Sequence, residues 1–199
     1  MIDPSNITNY NLTDYELEEH LIFWVLAAGK NGTTAAKLLE KLLYKLGGLK
    51  GVPFEKIRRY SIIGNLAQLM QLCGIGCYNN KSRTLIELAN AGLDLSTCLA
   101  VDLEKIYGIG LKTARCFLLH SRKGVRLSGL DTHMLKHLRE VGVEDVPKST
   151  PSSKKRYMIL EQEVLRLADE AGMGPAEFDL MIWNRYSTKI GEMYEGAIG

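Results

Sequence analysis

Apolar residues recur at intervals of three and four along nearly the whole chain, and no stretch sustains the alternation of β-branched and polar positions that marks a strand. The pattern predicts an all-α fold. Thr13 and Asp14 read as N-cap residues for a helix over residues 15–28, stopped by the cluster Gly29-Lys30-Asn31-Gly32. Thr33 or Thr34 then caps AAKLLEKLLYKL, which carries leucines on one face and lysines on the other and ends at Gly47-Gly48. Two short helices over 53–57 and 62–73 precede a break at GIGCYNNKS, and a helix opening at Ser82 runs to about residue 91. Beyond a short segment at 95–100, helices at 101–107 and 112–120 flank Gly108-Ile109-Gly110, a helix-hairpin-helix arrangement. A turn leads to a helix at 132–140, the Pro- and Ser-rich VPKSTPSSKKR reads as a loop, and helices at about 155–170 and 175–185 complete the core.

The composition, 46% hydrophobic and 24% charged with the charges interspersed, excludes a disordered chain. A net charge of +2 permits a polyanionic partner without demanding one. The longest apolar run, over 21–29, is too short to cross a bilayer, and the first residues are polar and acidic, so the expectation is a cytoplasmic protein, nucleoid-associated in a prokaryote. Cys73, Cys77, Cys98 and Cys116 lack the paired spacing of a zinc ribbon or a disulfide scaffold and read as reduced, mostly buried thiols.

The hairpin carries the most specific chemistry. Glycines on either side of Ile109 let the backbone approach another surface closely, and the helix that follows begins with unpaired amides at the positive end of its dipole. Gly108, Ile109, Gly110 and Leu111 are thus candidates for gripping a phosphate backbone, a contact that reads no sequence. The plainer reading is a helix C-cap and a tight turn. Lys112 falls in the first turn of that helix, where an ammonium is disfavoured by the dipole and the free amine needed for attack on a sugar C1′ is favoured. Asp131 reads as the N-cap of the helix that starts at Thr132, a position that keeps a carboxylate ionised and able to stabilise an oxocarbenium-like sugar or assist Lys112.

LEKIYGIGLKTARCFLL and LDTHMLKHL resemble the hairpin motif and the aspartate-bearing segment of the helix-hairpin-helix DNA glycosylases. IGCYNNKSRTLIEL is similar to a stretch of the endonuclease III branch, whereas VPKSTPSSKKRYMILEQEVLRLADEAG and FDLMIW resemble the archaeal-type 8-oxoguanine glycosylase/lyases. The likeness covers residues 17 to 189. It implies that Lys112 forms a Schiff base with the deoxyribose, that Asp131 supports the step, and that base excision is followed by strand cleavage through β-elimination. The chain departs from the endonuclease III branch in having no cysteine after Cys116, so neither an iron-sulfur cluster nor any other metal or cofactor is expected.

The resemblance further implies a two-lobed molecule. One lobe is expected at 17–125, with the hairpin unit at 101–120, and a second at 1–16 plus 126–199, carrying Asp131 and the C-terminal helix. Trp183 follows Asp179 by one helical turn, so the pair can share a face, Trp183 stacking on an everted base and Asp179 bonding to it or positioning Lys112. A core tryptophan beside a solvated acid is the alternative. Lys30 or Asn31 occupies the place of a residue that fills the hole left by the flipped nucleotide, unless the loop is an ordinary glycine-rich turn. Tyr78 and Lys81 either touch DNA or belong to an interhelical turn, and Lys154, Lys155 and Arg156 read as a solvated face with some reach for phosphate. The expected partner is duplex DNA bearing a damaged or modified base, met by a monomer, with 8-oxoguanine the first substrate and an oxidised pyrimidine the second. A non-catalytic DNA-binding module needs the glycines but not the Lys112 and Asp131 pair, and a helical protein-interaction domain needs neither.

Overall fold

A computed structural model of the chain describes the backbone of residues 2–48 and 51–195 and the side chains as far as residue 187. The described residues form ten α-helices and a short 3-10 turn, with no strand among them, in agreement with the all-α expectation. They divide into two compact units, Met1–Arg122 and Lys123–Gly199. The boundary lies three residues before the expected one, and residues 2–16 belong with the first unit. The reason is local: the Asn9 N–H donates to the His120 carbonyl at 2.9 Å, and the Thr8 hydroxyl meets His120 Nδ1 at 2.8 Å. Residues 1 and 196–199 of the expected second lobe lie outside the described residues.

In the first unit, α1 (Asp14–Ala27) starts at a reciprocal capping box between Thr13 and Glu16. Its first half is acidic, but from Leu21 to Ala27 it is apolar all round, with Leu21, Ile22, Phe23 and Leu26 fully buried, as suits a central helix. Around it are α2 (Gly32–Lys45), α3 (Pro53–Ile63), α5 (Tyr78–Asn90) and α7 (Leu111–Ser121), with α4 (Leu66–Leu72) on α5 and the short α6 (Ala100–Leu103) on α7. The cap of α2 is Asn31, whose side chain accepts from the Thr34 N–H at 2.7 Å, not Thr33 or Thr34 as expected. Helix α3 continues to Ile63 and stops at Gly64, and α5 starts at Tyr78, four residues before the expected Ser82. The residue before it, Cys77, takes a left-handed φ of 52° and is the one exposed cysteine; Cys73, Cys98 and Cys116 are buried.

In the second unit, α8 (Thr132–Glu140), α9 (Lys154–Glu170) and α10 (Pro175–Glu195) enclose a core of Leu130, Leu135, Leu138, Tyr157, Leu160, Val164, Phe178 and Ile182. No described helix in either unit is long and apolar enough to cross a membrane.

Candidate active site

The hairpin is built from the inside outward. Leu103, Ile106 and Ile109 are buried and anchor the chain as it leaves α6. The Ile109 N–H donates to the Ile106 carbonyl at 3.1 Å. Of the four residues expected to face a phosphate backbone, Ile109 therefore differs: its side chain is core and its N–H is already bonded. Gly108 has a φ of +78°, and a Cβ built there would stand 2.3 Å from Thr84 Oγ1. Thr84 cannot yield, because it is buried, β-branched and tied by its hydroxyl to the Asn80 carbonyl at 3.0 Å. Glycine at 108 thus answers a demand made by the protein itself.

Gly110 is different. Its backbone is extended, it is exposed, and a Cβ would meet nothing within 4 Å. No neighbour in the fold requires glycine there, and open space next to uncapped first-turn amides suits the approach of an external surface. Lys112 is the second residue of α7 and is half-buried. Its helix is locked to α6 by Arg115, whose guanidinium donates to Glu104 Oε1 at 2.7 Å, with side-chain exposures of 6% and 17%. Sequence reasoning missed Thr84, Glu104 and also Glu87, whose carboxylate accepts from the Tyr107 N–H at 2.9 Å. Beside them Arg83 lies over the Tyr107 ring, 3.8 Å from its centroid.

The Lys30 and Asn31 candidates part company. Asn31 is committed to the cap of α2, whereas Lys30 is exposed and its Nζ would lie 3.8 Å from a Cβ built on Gly76. Lys81 is buried, and its ammonium donates to the carbonyls of Leu26 and Ala28 at 2.9 and 3.0 Å. The possibility that it touches DNA is thereby overturned: it ties down the C-terminus of α1. The first unit's open groove of about 440 Å³, lined by Leu46, Val52, Lys56 and Tyr60, shares no residue with the hairpin or with any other candidate.

In the second unit, Asp131 is the N-cap of α8, with Oδ1 accepting from the Met134 N–H at 2.8 Å. It is half-buried, and both the cap and the start of the helix fall where the sequence places them. Two residues on, His133 stacks on Tyr186 of α10, with centroids 6.0 Å apart and planes 4° from parallel. The buried stripe of α10 runs through Phe178, Ile182 and Tyr186. Asp179 and Trp183 form the adjacent stripe and are both half-buried, so Trp183 is not a core tryptophan. Of the basic run, Lys154 and Lys155 are exposed, while Arg156 donates to the Asp145 carbonyl at 2.5 Å. Among the described residues, no group of three or more His, Cys, Asp and Glu side chains is placed to hold a metal ion.

No family model matches the chain. An 8-oxoguanine DNA glycosylase/AP lyase of Thermotoga sp. is 38% identical over 85 residues, a match that covers 42% of this chain and 39% of the relative. The chain therefore matches only about two fifths of the length of that curated relative. The crystal structure of the 8-oxoguanine DNA glycosylase of Thermotoga maritima is similar over 87% of this chain and 81% of that one, with a TM-score of 0.67 and 25% identity. The Methanocaldococcus jannaschii 8-oxoguanine glycosylase/lyase, solved with a 15mer DNA containing 8-oxoguanine, has the same fold at a TM-score of 0.67 and 20% identity, over 89% of this chain and 84% of that one. The fold is thus that of the Thermotoga maritima 8-oxoguanine DNA glycosylase, and an 85-residue stretch of the sequence is similar to a glycosylase/AP lyase of the same name.

Proposed function

We propose that the chain is a bifunctional DNA glycosylase and AP lyase acting on duplex DNA that carries 8-oxoguanine. The observation that carries this reading is the placement of Lys112 two residues after Gly110, in the first turn of a helix whose first amides have no side-chain cap. A phosphate received by those amides brings the adjoining sugar to the lysine without any base contact. The relatives' names and the shared fold support the choice of lesion.

In this reading the Lys112 amine forms a bond to C1′ as the glycosidic bond breaks, and the base leaves with the bonding electrons and takes up a proton. The Asp131 carboxylate stabilises the positive charge that develops on the sugar. Opening of the ring gives the imine, loss of a C2′ proton expels the 3′-phosphate by β-elimination, and hydrolysis of the imine frees Lys112. Trp183 stacks on the everted base and Asp179 offers it a hydrogen-bond acceptor. Lys30 is the better of the two candidates for filling the vacated stack, since the Asn31 side chain is engaged in a cap. Such an activity places the protein with chromosomal DNA.

The test is a panel of duplexes containing 8-oxoguanine, an oxidised pyrimidine or an abasic site, incubated with wild type and with Lys112→Gln. Excision and strand cleavage on 8-oxoguanine by wild type alone support the reading. Cleavage confined to the oxidised pyrimidine replaces the substrate, and DNA binding with no cleavage of any duplex leaves a non-catalytic helix-hairpin-helix module.

A further inference from the structure

The residues that lead into Asp131 are held unusually firmly. Ser128, Gly129 and Leu130 are all buried, although connections between helices ordinarily run over the surface. The Ser128 N–H donates to Glu161 Oε1 at 2.9 Å. Tyr157, fully buried, donates its hydroxyl proton to the Ser128 carbonyl at 2.8 Å and accepts from the Leu130 N–H at 3.0 Å. The Thr150 hydroxyl donates to the Leu130 carbonyl at 2.7 Å, and the Asp131 N–H closes back on the Gly129 carbonyl at 2.8 Å. Tyr157 and Glu161 lie one turn apart on α9, so one face of one helix grips Ser128 and Leu130, the two ends of a distant three-residue segment.

A turn into a capped helix does not need this. Water satisfies the amides of an exposed turn at little cost, whereas Glu161 is 4% exposed, and burying a carboxylate is expensive unless it is well bonded. The arrangement is instead suited to holding a reactive group to within about 0.5 Å of its working geometry, which the surroundings of a catalytic side chain must do. Asp131 gains this because its backbone continues directly from the gripped segment into the rigid first turn of α8.

We propose that Tyr157 and Glu161 are positioning residues for Asp131, fixing the Ser128–Leu130 segment so that the carboxylate meets the developing charge on the sugar. The proposal rests on the glycosylase reading above. Neither residue touches DNA. Their loss lowers the rate of base excision and leaves affinity for the duplex unchanged.

The experiment is single-turnover excision from the duplex that wild type cleaves, alongside equilibrium binding to it and thermal melting of each variant. Tyr157→Phe, which removes both hydroxyl bonds, is expected to excise at least tenfold more slowly with a Kd within twofold of wild type. Glu161→Leu behaves likewise, and Glu161→Gln, whose amide oxygen can still accept from the Ser128 N–H, recovers most of the rate. Thr150→Val, at a half-buried position, is expected to slow excision at least threefold, and it decides the matter if Tyr157→Phe fails to fold. Folded variants that excise at the wild-type rate overturn the proposal, as does a loss matched by an equal rise in Kd. If Asp131→Asn excises like wild type, Asp131 has no role to be positioned for and the proposal falls while the glycosylase reading stands. If wild type cleaves no duplex in the panel, the glycosylase reading itself fails and the proposal goes with it.

Discussion

The ammonium of Lys81 donates to the carbonyl of Leu26 at 2.9 Å, across 55 residues of sequence. It also reaches the Ala28 carbonyl, so one side chain from α5 closes the C-terminal end of α1, where helix carbonyls lack partners and carry the negative end of the dipole. Burial pushes the Lys81 ammonium below its ordinary pKa, yet the two carbonyls keep a well-bonded cation in a position that is 9% exposed. Lys81→Met retains the stem and removes both bonds. The expected loss is about 2 kcal/mol, chiefly from the orphaned Leu26 carbonyl, which is buried. Denaturant melting measures it, and an unchanged midpoint would show that water takes over the cap.

The two hairpin glycines separate stability from binding. Gly108→Ala combines a left-handed backbone with a clash against Thr84, and the expected cost is about 3 kcal/mol. Gly110→Ala meets neither obstacle, so its melting temperature should stay near wild type while affinity for duplex DNA falls. Paired melting and binding measurements on the two variants check this. Equal effects of the two on both quantities would contradict it.

The buried ion pair between Arg115 and Glu104 fastens the two arms of the hairpin. Glu104→Ala removes the carboxylate that faces a guanidinium only 6% exposed, which still donates to the Leu111 carbonyl at 3.3 Å, and the expected loss is about 3 kcal/mol. A double-mutant cycle with Arg115→Met should show a strongly coupled pair, the double variant being more stable than Glu104→Ala alone.

Acid should loosen the first unit through His20. Burial pushes its pKa down to about 4, with the nearby His120 adding to the shift, and its Nδ1 is buried with no hydrogen-bond partner. The unfolded chain, titrating near 6.5, then binds more protons than the folded one. Stability from this residue is complete above about pH 6.5 and is lost as pH falls toward 4, by about 3 kcal/mol in all. Buried His137 in the second unit is shifted in the same direction. Stability measured from pH 7.5 to 4.5 should fall less steeply in His20→Leu than in wild type.

Much of this was legible locally. The bounds of α8 follow from Asp131 as cap and from the apolar spacing behind it, and α1 is read to within one residue at each end from Thr13 and the glycine cluster. Lys112 and Asp131 stand out because hairpin glycines and an N-cap are short-range signals. The errors occur where chemistry and conformation diverge. Ile62 and Ile63 look like the start of a buried helix, but they are the exposed end of α3, more than three quarters exposed each. The start of α5 is hidden because Cys77 takes a left-handed conformation ordinarily reserved for glycine or asparagine. Ile109 reads as part of a DNA-facing loop, yet its apolar side chain goes to the core. The Tyr157 and Glu161 grip joins α9 to a segment about thirty residues away, and no spacing rule within either element could reveal it.

Trapping of the imine tests the central claim most directly. Wild type incubated with an 8-oxoguanine duplex in the presence of borohydride should yield a covalent protein–DNA adduct, and Lys112→Gln, folded and still binding the duplex, should yield none. An adduct of equal yield from Lys112→Gln, or no adduct from wild type even on a duplex with a preformed abasic site, would contradict the assignment of Lys112 as the nucleophile.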